Sequence, residues 1–140
     1  MTMVRDGSLL LLRSMFRGEA TLPAIYYMGL TNASYTFDAA SLAALAAGEP
    51  VGNGYARQPL NRNTSDWTVQ EVNGVLQVIS KTCIFTASAN WDKAWQRSFI
   101  CDAVSGTVGT VYSVSGPTPA PRTVLAGAGP SLSYQYWLRG

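Results

Sequence analysis

At 140 residues the chain fits one domain with a moderately sized core. Hydrophobic residues make up 47% and charged residues only 13%, against roughly 25% charged in ordinary soluble domains. A net charge of +2 with scattered basic residues lacks the electrostatic footprint of direct nucleic-acid binding, and a charge-poor surface points to contact with copies of itself or with a larger assembly.

The first element is a helix over 5–17. Asp6 or Ser8 is positioned to cap it and Gly18 to end it in a left-handed turn. Leu9, Leu12, Met15 and Phe16 form one apolar stripe, which suits packing on the domain or, as an arm, docking on a neighbour. The apolar run Leu9 to Leu12 is far short of the ~20 residues of a membrane span. With Asp6 before it and Arg13 after it, the run also makes a poor secretory signal. The expectation is a protein that works where it is made or leaves by lysis or in a particle, with no membrane partner.

A β core is expected over about 21–138. Leu22 to Leu30 reads as a strand with Pro23 at its start, closed by a turn at Asn32-Ala33-Ser34. Asp38 to Ala47 reads as a short helix capped by Asp38 and ended by Gly48. After a Gly/Pro loop, Tyr55 to Leu60 is expected as an edge strand because Pro59 cannot donate to a central ladder. Asn61 to Asp66 is a polar loop leading to Trp67. Val75 to Ala87 alternates as a long strand expected to bend at Ser80-Lys81.

Trp95 to Ala103 and Val108 to Val114 read as two further strands around a Ser105-Gly106 turn. Pro117 to Pro121 is a stiff extended connection, and Gly127 to Pro130 the last turn. Ser131 to Leu138 alternates as one terminal strand. Short strands with Gly and Pro turns predict a single mainly-β domain over 1–140. Its form is an antiparallel β-sandwich or compact, jelly-roll-like β-barrel with a short N-terminal α-helix.

The chain has no histidine, which removes the commonest general base and metal ligand and the triads built on it. The eight carboxylates form no recognisable pair, and the glycines near Gly52 are not followed by the Lys-Ser or Lys-Thr of a phosphate loop. The spacing of Cys83 and Cys101 matches no metal motif. Reduced core thiols are expected, with a bridge between neighbouring strands as the alternative. No catalytic residue, cofactor or metal is therefore expected. The aromatics Trp91, Trp95, Tyr136 and Trp137 join Leu9, Leu12, Met15 and Phe16 as candidate interface positions, Trp91 or Trp95 being presented from a loop.

The order of features carries a resemblance. A capped N-terminal helix precedes an aromatic strand ending in Gly-Leu-Thr-Asn within Tyr26 to Asn32. A glycine loop leads to Gly54-Tyr55-Ala56-Arg57-Gln58, then to Trp67, Ile84 to Ala87, and Phe99 to Ala103 with Ser105-Gly106. This resembles a group of small tailed-bacteriophage virion proteins, some of them capsid decoration or cement proteins and others tail-associated. The Ala39 to Ala47 insertion and the 117–121 segment depart from that group. The resemblance implies a non-enzymatic virion component, made in the host cytoplasm, that binds the major capsid protein or other virion proteins as a homo-oligomer, a trimer for cement proteins. Its alternatives are a tail or neck adaptor or fibre-associated protein and, from another class, a carbohydrate-binding module using the tryptophans.

Overall fold

A computed structural model describes residues 2–36, 38 and 40–138. The elements run β1 (Thr2–Met3), α1 (Arg5–Leu12), β2 (Ile25–Thr31), α2 (Leu42–Ala46), β3 (Gln58–Asn61), β4 (Trp67–Val72) and β5 (Val75–Ser80). They continue with β6 (Cys83–Ile84), β7 (Arg97–Cys101), β8 (Val111–Val114), β9 (Ser131–Leu132) and β10 (Gln135–Leu138). Three antiparallel sheets result: β1-β8-β7-β2-β3, β10-β5-β4 and β6-β9. The fold is mainly β and sandwich-like, and the sheets do not close into a barrel.

The five-stranded sheet is covered on both faces, so β7 and β8 are buried on consecutive residues. Met28, Leu30, Ile100 and Tyr112 face a core completed by Cys83, Phe85, Trp91, Trp95, Val124 and Tyr134. Phe99, Cys101, Val111 and Val114 face the other way, against Val4 and the α2 residues Leu42 and Leu45. Strand β3 lies at the sheet's edge, with Pro59 opposite Tyr27, as its missing N–H requires.

Both helices depart from the expected details. The N-cap of α1 is Val4, without a side-chain cap, because pairing of β1 with β8 and the Val4 N–H bond to the Tyr112 carbonyl (2.9 Å) set where the helix begins. Neither Asp6 nor Ser8 caps it. Gly7 is buried against the Tyr112 backbone, where a Cβ would overlap, and Leu10 and Leu11 follow on that side. The helix docks through this face, and the Leu9 stripe turns away from it. Residues Arg13–Arg17 continue as a π-helical turn that Gly18 ends in the left-handed conformation. In α2 the cap is Ser41, whose Oγ accepts from the Ala44 N–H (3.2 Å), so the helix starts later than Asp38. Ala39, inside the expected helix, lies outside the described residues.

The expected terminal strand is two strands. Opposite the bend at Ser80-Lys81, the chain breaks at Tyr134, whose N–H donates to Ser80 Oγ (2.8 Å) while Ser80 N–H donates to the Tyr134 carbonyl (2.9 Å). Residues before that junction pair with β6 and residues after it pair with β5. Strand β4, expected only as a segment led by Trp67, forms a hairpin with β5. Asn73 (φ 51°) and Gly74 (φ 74°) make its two-residue turn, the signature of the type I′ hairpin.

A buried ion pair joins the loops on one side of the domain. Arg57 Nε donates to Glu49 Oε1 (2.9 Å) and its terminal nitrogen to Glu49 Oε2 (2.6 Å), with both side chains buried. The remaining donors reach the carbonyls of Ala103 (2.9 Å) and Gly106 (2.7 Å), and the guanidinium lies 5.5 Å from the Phe99 ring centre. Tyr55 donates its hydroxyl to Glu49 Oε1 (2.6 Å) and accepts the Leu30 N–H (2.9 Å). Burial, then the Glu49 charge, pushes the Tyr55 phenol above its ordinary pKa. Removing one member of such a pair leaves the other charged and dry. Arg57→Ala is expected to lower folding stability by about 3–5 kcal/mol in a urea titration. Joint replacement of Arg57 and Glu49 by apolar residues is expected to cost less than the single change.

Candidate docking site

Residues of the first and second sheets together line an apolar cleft of about 470 Å³. One wall is Tyr26, Ile100 and Tyr112 from β2, β7 and β8. The other is Trp67 and Val69 of β4, Val78 of β5, and Tyr134 and Tyr136 at the chain's C-terminal end. Leu11 of α1 and Leu22 close the side, and Arg62, Asn63 and Thr64 form the polar rim. Four rings run in series along the cleft, each meeting the next edge to face: Tyr112 and Tyr26 at 5.1 Å, Tyr26 and Trp67 at 6.1 Å, Trp67 and Tyr134 at 5.6 Å. Beyond Trp67 the hairpin runs past the core, so Val69 is 74% exposed and Leu76 is exposed on the same face.

Burial raises the pKa of all three phenols in that series: Tyr26, Tyr112, where Asp102 adds to the effect, and Tyr134, pushed up to about 12. They stay neutral at ordinary pH. Among the described residues the buried Trp67 indole N–H has no hydrogen-bond partner. The cleft is therefore a surface for apolar contact, and a polar partner atom reaching Trp67 would meet one waiting donor.

The candidate interface positions divide. Leu12, Met15 and Phe16 are exposed, Phe16 by 76%, and Leu9 is half-buried. Leu11, next to Leu12 in the chain, lines the cleft, and Leu9, Leu12, Met15 and Phe16 are not among its lining residues. Tyr136 lies in the cleft, whereas Trp137, next to it on the strand, points to the opposite face and is 41% exposed. Trp91 and Trp95 are corrected: both are 5% exposed and belong to the core. The Trp91 indole donates to the Asn53 carbonyl (3.2 Å) and meets Tyr55 edge to face, while Trp95 bridges to Arg122 along the backbone and carries its guanidinium over the ring. A tryptophan pair four residues apart before a strand reads equally well as loop display or as loop anchoring, and only the contacts separate the two.

The two buried carboxylates are engaged by the framework. Glu49 holds Arg57, and Asp66 Oδ2 accepts from Lys81 (2.9 Å), the Asn61 N–H (2.7 Å) and Asn61 Nδ2 (3.1 Å). Cys83 and Cys101 are free thiols buried in opposite core clusters, on the two sides of the large sheet. No group of three or more acidic, cysteine or histidine side chains suited to a metal occurs among the described residues. No helix among them is long and apolar enough to cross a membrane. No protein-family model matches the chain, and no curated protein shows significant similarity to it.

The Lys81 hydrogen bond, ahead of the bonds from Asn61, holds the Asp66 carboxyl below its ordinary pKa. A depressed folded-state pKa gives stability that is present above the unfolded value and lost as pH falls through the folded one. The urea midpoint is therefore expected to drop through the acid range, and Asp66→Asn to flatten that part of the profile. Burial pushes the Cys83 thiol up to about 11 and raises Cys101 as well. Both are expected to resist alkylation at neutral pH in the native protein and to react at once in denaturant, read by mass spectrometry.

Proposed function

We propose that this chain is a non-enzymatic structural protein of a tailed-bacteriophage particle, a capsid decoration or cement protein that docks on the major capsid protein. The single observation behind the reading is the apolar ridge of Leu12, Met15 and Phe16, left exposed on a helix that already has another face docked. Leu11, on the docked face of the same helix, lines an apolar cleft whose walls carry packed rings. An exposed apolar surface of this kind on a charge-poor domain suits a molecule that works by being covered. Buried charges already engaged within the fold and titratable groups kept neutral by burial favour a binding role over chemistry. The order of sequence motifs supplies the particle context.

Sugar binding on aromatics loses support. Trp91 and Trp95 are core residues, and Trp67 is packed between Tyr26 and Tyr134. Trp137 alone among the four tryptophans offers an exposed ring.

Immunogold labelling of purified particles is expected to decorate the head shell. Label confined to tail or neck would move the same docking surface to an adaptor role. In particles assembled with Phe16→Asp, occupancy is expected to fall at least about tenfold, as for a central apolar anchor. Circular dichroism should be unchanged because Phe16 contributes little to the core.

A further inference from the structure

Strand β4 is an edge without the usual protection. In the large sheet one outer strand carries Pro59 and the other, β1, is only two residues long. Both are common ways of blunting an edge. Strand β4 runs six residues, Trp67–Val72, with no proline, lysine or register shift against β5. In a hairpin closed by Val72 and Val75, alternate residues Val72, Gln70 and Thr68 turn their backbone N–H and C=O toward β5. Val69 and Glu71 turn theirs outward. Among the described residues no backbone hydrogen bond from outside the hairpin reaches those groups, while the Trp67 N–H is taken by the Asn63 carbonyl (3.2 Å).

We propose that β4 pairs antiparallel with β4 of a second copy about a two-fold axis beside Val69, joining two three-stranded sheets into one of six strands. Opposed residues in an antiparallel pair share a face, so the register centred on Val69 sets Val69 against its own counterpart and Glu71 of the second copy against Trp67. That places the Glu71 carboxylate on the cleft side, next to Arg62, which lines the same cleft beside Trp67. Arg62 and Glu71 are both exposed, and neither belongs to an ion pair among the described residues. The two-fold makes this charge match twice and sets no like charges opposite one another. It also covers Val69, the most exposed residue of the cleft walls, and makes the two clefts continuous. The match of one edge to itself singles out a second copy as the occupant.

The contact is independent of the particle reading and is measured on the purified full-length chain. Analytical ultracentrifugation over a concentration series is expected to show a monomer–dimer equilibrium. Val69→Pro removes one outward N–H and spares the ladder to β5, so it is expected to sediment as a monomer with unchanged circular dichroism. Charge reversal provides a second test that needs no proline in a strand. Glu71→Arg and Arg62→Glu are each expected to weaken dimerisation about fivefold, as loss of two exposed pairs implies, and together to restore it. A chain that stays monomeric throughout, a three-copy mass, or a dimer indifferent to Val69→Pro and to both reversals overturns the proposal.

Discussion

The Arg57–Glu49 pair is the contact on which the geometry of this domain most depends. A guanidinium and a carboxylate taken out of water are tolerated only when their donors and acceptors are engaged, and here the engaged atoms belong to separate parts of the chain. Arg57 draws in the carbonyls of Ala103 and Gly106, and Glu49 holds Tyr55, which in turn accepts the Leu30 N–H of β2. The guanidinium also lies over Phe99, whose ring covers the backbone at Gly29 on the neighbouring strand. Lys93 extends the network by donating to the carbonyls of Ala47 and Glu49 (3.0 and 3.1 Å). The loop after α2, the start of β3 and the turn between β7 and β8 are thereby fixed to one centre. Both Gly54-Tyr55-Ala56-Arg57-Gln58 and the Gly-Leu-Thr-Asn stretch within Tyr26 to Asn32 are parts of this framework.

The apolar cleft is lined by none of the residues of this network. The large sheet has two apolar faces. One is closed by α2 and Val4, the other by Phe85, Trp91, Trp95, Val124 and Tyr134 with residues of the second sheet packed against them. The rings of Tyr112, Tyr26, Trp67 and Tyr134 form a chain of edge-to-face contacts, the geometry aromatic pairs prefer, and the Tyr26–Trp67 contact joins the two sheets. Leu11 of the N-terminal helix and Val69 on the free edge of β4 line the same cleft. Docking on a large partner and pairing with a second copy would therefore draw on neighbouring parts of one surface.

Local rules explain much of what the sequence made legible. Alternation and turn residues located most strands, Pro59 marked an edge, and the bend at Ser80-Lys81 followed from a run too long for one straight strand. Asn73-Gly74 is also a local signal, the strongest short-range mark of a hairpin, yet β4 was expected only as a segment led by Trp67 and its strand emerged with the structure. The helix face was not local. Four consecutive leucines, Leu9 to Leu12, offer an apolar side in every direction, so periodicity cannot choose among them. The choice falls to Gly7, whose missing Cβ lets the helix lie against the Tyr112 backbone. The tryptophans misled for a related reason, since a large aromatic in a loop serves equally as a displayed anchor or as the plug that holds the loop down.

By itself the sequence determined a mainly β chain, its turn positions, the placing of its cysteines in strands, and a supply of apolar side chains larger than its charge could offset. These follow from backbone preferences and composition, which act over a few residues at a time. Tertiary structure alone decided which leucines stay exposed, which tryptophans are core, where the last strand breaks, and that β4 ends as an open edge. Each depends on contacts between residues distant in the chain, such as Gly7 with Tyr112, Ser80 with Tyr134, and Arg57 with Ala103. Such contacts form only when whole sheets are in place.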